Sequence, residues 1–249
     1  MTDRAVLVTG ASRGIGRAVA EAFARQGDRI AVHYRRKRAL AEKVLDGLPG
    51  TGHVLVQADM ADPDAVEAMV GAAHDGLGGL DVLVNNAGVY VWHPVDTVGY
   101  QDWQRAWQQT LAVNLTGPAN AIWCAVRYMK DTGGRIINIS SRGAVRGEPE
   151  HPAYAASKGG LNSLSGSLAR TLAPYGIAVA TVAPGFVETD MAAEFMASQA
   201  GAAIRAQSPF NRIATTDEIA AAVIYLASPH AQWASGAILD LNGASYLRP

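Results

Sequence analysis

Tyr154 and Lys158 stand four residues apart in Tyr154-Ala155-Ala156-Ser157-Lys158, a spacing that puts both side chains on one face of a helix. A phenol with a pKa near ~10 is a poor proton carrier at neutral pH, and a neighbouring ammonium predicts a lowered value. The chemistry on offer is proton transfer to or from an oxygen. A second group opens the chain, where a short apolar run leads straight into Thr9-Gly10-Ala11-Ser12-Arg13-Gly14-Ile15-Gly16. Glycines here allow a tight turn and close backbone approach to a pyrophosphate, and the N–H groups of the following helix then face the anion. The spacing is G-x-x-x-G-x-G rather than the commoner G-x-G-x-x-G. Further on, where an Asp or Glu would hold a ribose 2′-hydroxyl, the chain has His33-Tyr34-Arg35 and then Arg36-Lys37-Arg38. Arg13 adds a cation in the turn, and guanidinium groups suit phosphate. The expected cofactor is NADP(H), with NAD(H) left open.

Such groups need a frame to hold them. Short, nearly continuous apolar runs at Ala5–Thr9, Arg29–Tyr34, His53–Gln57, Leu80–Val84, Arg135–Ser140, Ile177–Val182 and Ala237–Leu241 predict strands buried on both faces. Between them, Gly14–Gln26, Lys37–Leu48, Pro63–Gly76, Tyr100–Lys130, Tyr154–Ala173 and Thr216–Ala227 read as helices. Strict alternation predicts an α/β, doubly wound, seven-stranded parallel sheet with helices on both faces, in one domain spanning residues 1–249. Asp62-Pro63 and Thr216 mark helix starts. The irregular stretch 184–212 is expected to be a lid or binding loop. Ligands of such sheets bind outside the carboxyl ends of the strands. Asn85-Asn86-Ala87-Gly88 and Ser140-Ser141 fall at such ends, and Asn114 lies in the long helix. Pro118 cannot donate an N–H to the Asn114 carbonyl four residues earlier. Either that carbonyl takes a water, or the proline only kinks a packed helix.

The 249 residues carry 21 Lys and Arg against 22 Asp and Glu, and 49% are hydrophobic. That favours a folded core and gives no basic excess for nucleic acid or an anionic membrane. Cys124 is the sole cysteine and the six histidines show no paired spacing, so neither a disulfide nor a metal site is expected. The stretches 106–126 and 219–239 lack charged residues but are broken by polar ones, so no membrane span is predicted. With no signal peptide read at the start, the expected location is the cytoplasm.

Taken together, these motifs resemble the short-chain dehydrogenase/reductase family in its form of about 250 residues, over essentially the whole chain. The likeness rests on TGASRGIG, Asp59, NNAG, Asn114, Ser141 thirteen residues before Tyr154, Lys158, Pro184-Gly185, Thr189 and the closing Asp240-Leu241-Asn242-Gly243. The resemblance implies a Rossmann fold and four catalytic residues. Tyr154 would exchange a proton with the substrate oxygen, which Ser141 also hydrogen-bonds. Lys158 would lower the tyrosine pKa and hold the nicotinamide ribose, and Asn114 would hold a relay water. Cofactor contacts are expected from Gly10, Ser12, Arg13, Gly14, Ile15, Gly16, Tyr34, Arg35, Asp59, Met60, Asn86, Ala87, Gly88, Pro184, Gly185, Val187 and Thr189, besides Tyr154 and Lys158. A homotetramer is implied as well, with Tyr100–Lys130 and Tyr154–Ala173 at an interface.

Candidate substrate residues are Tyr90, Trp92 and His93, then Arg142, Arg146, Glu148 and His151, then Phe186, Phe195 and Met196. Arg142 and Arg146 either meet an acidic substrate or pair with Glu148 or Glu150. Many relatives reduce 3-oxoacyl groups on an acyl carrier protein and carry basic residues where this chain has Asp131-Thr132 and Tyr175. The expectation is therefore a small-molecule carbonyl reductase. The carrier-linked reaction is the alternative, and a non-catalytic dinucleotide sensor is the alternative from another class.

Overall fold

A computed structural model describes residues 3–188 and 199–248, the side chains of 199 and 200 excepted. Strands β1 (Ala5–Val8), β2 (Arg29–Tyr34), β3 (Val54–Gln57), β4 (Val82–Asn85), β5 (Gly134–Ile139), β6 (Ile177–Pro184) and β7 (Ile238–Leu241) form one sheet in the order β3-β2-β1-β4-β5-β6-β7. Every pairing is parallel. From β1 the chain proceeds to β2 on one side and later to β4 on the other, so the strand order reverses there and the crevice of a doubly wound sheet opens at the carboxyl ends of these strands.

The alternation of side chains along each strand divides the core in two. Val6 and Val8 of β1 face one side, where they meet α1 (Gly14–Ala24), α2 (Arg38–Gly47) and α9 (Thr216–Leu226). Ala5 and Leu7 face the other, against α3 (Pro63–Leu77), α5 (Gly117–Met129) and α7 (Pro152–Leu172). The same division runs through β4, with Val82 and Val84 on the first side and Leu83 on the second. Phe23 of α1 and Met69 of α3 are among the largest side chains with essentially no exposure. Each contributes roughly 1.5–3 kcal/mol by leaving water. α4 (Tyr100–Leu111), α6 (Gly143–Arg146) and α8 (Gln199–Arg205) complete the helices.

Two expectations are corrected. Tyr100–Lys130 is not one helix: α4 and α5 are separated by a π-helical turn, Ala112–Thr116, in which the Gly117 N–H reaches the Ala112 carbonyl five residues back. Pro118 is the cause, because it lacks an N–H and its ring crowds the preceding turn. Thr216 opens α9 as expected, and the residue before it, Thr215, is the cap. Its hydroxyl accepts from the Glu218 N–H while Glu218 accepts from the Thr215 N–H, a reciprocal box. The stretch 184–212 is not irregular throughout, since it contains α8. Thr189, Phe195 and Met196 lie outside the described residues. At α3 the expected start holds: Asp62 accepts from the N–H groups of Asp64 and Ala65, with Pro63 in the first turn.

Candidate active site

The turn after β1 is built to bring backbone, not side chains, to the crevice. Gly10 has φ +66°, in the region that favours glycine. A Cβ on Gly16 would lie 2.4 Å from the Gly10 carbonyl oxygen and from Asn86 Nδ2, so α1 can pack this closely only because Gly16 has none. No side chain caps the start of α1 and no acid sits in its first turn, which leaves its N–H groups directed at an anion.

Three polar side chains hold the turn in place. Thr9 Oγ1 accepts from the N–H groups of Asn86 (2.9 Å) and Ala87 (3.0 Å). Asn86 Nδ2 returns to the Thr9 (2.9 Å) and Gly10 (3.2 Å) carbonyls. The third is His33, for which no sequence motif calls. The Gly10 N–H donates to His33 Nδ1 at 2.8 Å, so the ring proton rests on Nε2, 3.1 Å from the Ala58 carbonyl. The imidazole is 1% exposed. Burial pushes its pKa down to about 4, against smaller opposing effects from the Ala58 carbonyl and Asp59. It is a neutral clasp between the glycine turn and the end of β3.

At the ends of β2 and β3, Arg35 reaches Asp59 at 3.7 Å. Both side chains remain about two-fifths exposed, 39% and 40%, and face the crevice. The Gln57 amide donates to the Arg35 carbonyl (3.0 Å), and Tyr34 OH donates to Gln57 Oε1 (3.3 Å). These bonds hold Arg35 and Asp59 at the rim of the crevice.

Across the crevice, α7 presents Tyr154 and Lys158 on one face, as their spacing predicts. Lys158 Nζ lies 5.7 Å from the Tyr154 ring centre and donates to the Ile139 carbonyl at 2.7 Å. The electrostatics correct the expected direction. Burial pushes the Tyr154 phenol up to about 12, outweighing the Ser141 hydrogen bond that acts downward. Burial likewise pushes the Lys158 ammonium down to about 8. Each charged form loses more hydration on burial than its neighbour returns. Ser141 Oγ also accepts from the Gly143 N–H at 3.0 Å, which fixes its direction.

Asn114 is fully buried in the π-helical turn and does not line the crevice. Its Oδ1 accepts from the Val89 N–H (2.8 Å), and its Nδ2 donates to the Val89 carbonyl (2.9 Å) and Ser157 Oγ (3.3 Å). The side chain therefore ties the loop after β4 to α7. Any water held by this residue must use its main chain.

The crevice, about 730 Å³, is lined by Gly10, Ser12, Arg13, Gly14, Ile15, Tyr34, Arg35, Asp59, Met60, Asn86, Ala87, Gly88, Ser141, Tyr154, Lys158, Pro184, Gly185 and Val187, all expected from the sequence. Gly16 stands behind it as a packing position. A dinucleotide fits this cleft: a side-chain-free cradle at one end, a basic rim beside it, and a phenol with an ammonium at the other.

At the substrate end, Tyr90 stacks on His151 (3.6 Å), meets Tyr154 edge-on (4.7 Å) and donates to Glu148 Oε2 (3.2 Å). His93 proves structural. It is buried, accepts from the Ala153 N–H at 3.1 Å and donates to the Val91 carbonyl at 2.7 Å, pinning the loop to the start of α7. Among the described residues, neither Arg142 nor Arg146 pairs with Glu148 or Glu150.

This fold and this crevice define a dinucleotide-binding oxidoreductase. Residues 10–243 match the family model described as enoyl-(acyl carrier protein) reductase. The chain is 37% identical over 248 residues to the 3-oxoacyl-[acyl-carrier-protein] reductase FabG of Vibrio cholerae, covering 99% of both chains. Among solved structures, a short chain dehydrogenase from Burkholderia cenocepacia J2315 in complex with NADP superposes with a TM-score of 0.86. It is 33% identical, with 98% of each chain covered. The promiscuous reductase LugOII, which catalyses keto-reduction at C1 during lugdunomycin biosynthesis, gives a TM-score of 0.89 at 33% identity and 99% coverage of each chain. The chain belongs to the short-chain dehydrogenase/reductase family and is an NAD(P)-dependent enzyme of that family.

Proposed function

We propose that the protein is an NADP(H)-dependent carbonyl reductase, interconverting a small-molecule ketone or aldehyde and its alcohol. One observation carries this reading: Ser141, Tyr154 and Lys158 converge at one end of a cleft whose other end is the glycine cradle. The nicotinamide, when bound, supplies or accepts the hydride. In reduction, Tyr154 donates its phenolic proton to the carbonyl oxygen as the carbon receives hydride, and Ser141 hydrogen-bonds that oxygen. A phenol held near 12 is protonated at neutral pH, the state that donation needs. Lys158 holds the ribose and returns a proton towards Tyr154, with the Asn114 main chain and a water linking it to solvent. Gly10, Ser12, Gly14 and Ile15 cradle the pyrophosphate, and Arg13 and Arg35 meet a 2′-phosphate. Asp59 and Met60 border the adenine, Asn86, Ala87 and Gly88 the ribose, and Pro184, Gly185 and Val187 the nicotinamide.

Reduction of carrier-linked 3-oxoacyl groups is the second reading, favoured by the identity to FabG across the whole chain. Arg127, four residues before Asp131, speaks for free carbonyl compounds instead: it is bound to Glu67 at 2.9 Å and lies over Trp123. The reading extends to a single domain working in the cytoplasm as a homotetramer. Exposed Tyr100 on α4 and Trp123 on α5 support an interface there.

The test is a panel of ketones, aldehydes and 3-oxoacyl thioesters assayed with NADPH and NADH by nicotinamide absorbance. Tyr154→Phe is expected to cut kcat by about 10²–10⁴-fold with little change in cofactor binding. Undiminished turnover in that variant would refute the assignment.

A further inference from the structure

A second cavity of about 450 Å³ lies beside the crevice and shares Phe186 with it. Phe210, Ile204, Ile219 and Leu241 make it largely apolar, and Arg142 forms part of its wall. Arg142 is 3% exposed, so its guanidinium has left bulk water. Its partners are neutral: Nη1 donates to Ser245 Oγ (2.5 Å), Nη2 donates to Gln207 Oε1 (2.6 Å), and the plane lies 4.8 Å from the Phe186 ring centre.

The acids lining this cavity are already matched. Glu218 pairs with Arg212 at 2.6 Å and Asp240 with Arg248 at 2.8 Å. Among the described residues, no carboxylate lies within ion-pair distance of Arg142. Glu148 acts on it only at longer range, opposed by Arg146, and is itself hydrogen-bonded by Tyr90. A buried guanidinium keeps its charge and is costly without a counter-ion. Among the described residues, then, a positive charge without a carboxylate partner faces a largely apolar cavity.

Its position says what it is for. Arg142 follows Ser141 directly, and its N–H is tied to the Pro184 carbonyl at the end of β6 (2.9 Å). We infer that this cavity is a carboxylate subsite: the substrate is an oxo acid whose carbonyl lies at Ser141 and Tyr154 and whose carboxylate reaches the guanidinium of Arg142. The inference rests on the proposed carbonyl reduction and names its substrate class. A carboxylate suits the planar fork of a guanidinium, and one cation matches a monoanion better than a phosphate dianion. The Gln207 and Ser245 oxygens are neutral acceptors that a carboxylate replaces with stronger, charge-assisted bonds.

The experiment compares oxo acids of graded length with their methyl esters on the intact enzyme with NADPH. At the matching length the acid is expected to exceed its ester in kcat/KM by about tenfold or more. In Arg142→Gln the acid-to-ester ratio is expected to fall to near one, through KM rather than kcat, and Arg142→Lys is expected to restore part of it. A second measurement needs no variant and no turnover: thermal unfolding of the wild-type protein with a saturated monocarboxylic acid or its primary amide. The acid is expected to raise Tm and the amide not. Equal kcat/KM for acids and esters, or equal Tm shifts for acid and amide, would overturn the subsite. If no carbonyl compound is reduced, acidic or neutral, the proposed reaction fails, while the Tm comparison still reads the subsite.

Discussion

His33 gives the sharpest quantitative expectation. Its buried imidazole is neutral in the fold, with Nδ1 accepting from Gly10 and Nε2 donating to Ala58. Protonation would place a second N–H against the Gly10 N–H. The folded-state pKa is depressed to about 4, below the ordinary 6.5. Between those values the unfolded chain therefore binds more protons than the folded one. The stabilisation is complete above about 6.5 and is lost as pH falls through the window down to about 4. A depression of this size corresponds to roughly 3 kcal/mol, a large fraction of a typical stability of about 5–15 kcal/mol. Urea unfolding followed by tryptophan emission, at matched protein concentration from neutral pH down to about 4, measures it. His33→Gln cannot titrate but still offers one acceptor and one donor. The difference between the two proteins isolates the imidazole, because all other titrating groups, Glu218 included, contribute equally to both. Wild type is expected to lose roughly 3 kcal/mol more than the variant across this window. Parallel losses would refute the argument. His33→Phe, which orphans the Gly10 N–H and the Ala58 carbonyl, is expected to cost about 1–3 kcal/mol for each.

Other outcomes follow from the same geometry. Gly16→Ala places a methyl 2.4 Å from the Gly10 oxygen; it is expected to weaken cofactor binding by about tenfold or more, read by fluorescence titration. Arg35→Ala is expected to lower kcat/KM for NADPH by about tenfold while leaving NADH nearly unchanged. Equal losses for both cofactors would remove Arg35 from the 2′-phosphate. With Tyr154 near 12 and Lys158 near 8, carbonyl reduction is expected to hold its rate up to about pH 8 and to fall beyond it as Lys158 loses the proton it returns, and alcohol oxidation to climb with pH as phenolate forms. An oxidation rate flat in alkali would contradict the assignment of Tyr154 as the group that takes the proton.

How much of this was legible in the chain differs from residue to residue. β2 was read to its ends, Arg29–Tyr34, because a strand buried on both faces is apolar throughout. The cradle and the Tyr154–Lys158 pair were legible because turn chemistry and helical spacing are local. Pro118 held the signal for the π-helical turn, yet the apolar pattern runs on through Ala112–Thr116 and hides the break. His33 was unreadable because its partners, Gly10 and Ala58, lie 23 and 25 residues away. The direction of the Tyr154 shift is hidden for a related reason: sequence shows that two charges are neighbours, not how much water they have lost. For Arg142 the sequence leaves an acidic substrate and a glutamate partner both open. Only the assembled cavity shows that neither Glu148 nor Glu150 claims it.

The bonds joining Thr9 and Gly10 to Asn86 and Ala87 span 76 to 78 residues. Closing so long a stretch of chain is entropically slow and depends on the central strands having already aligned. The nucleotide's seat is consequently among the last parts of the molecule to become competent, and a nucleotide that occupies it holds the completed architecture rather than one corner of it. Refolding monitored by nucleotide capture should lag behind the recovery of helical signal, and added nucleotide should slow the loss of the whole structure at once.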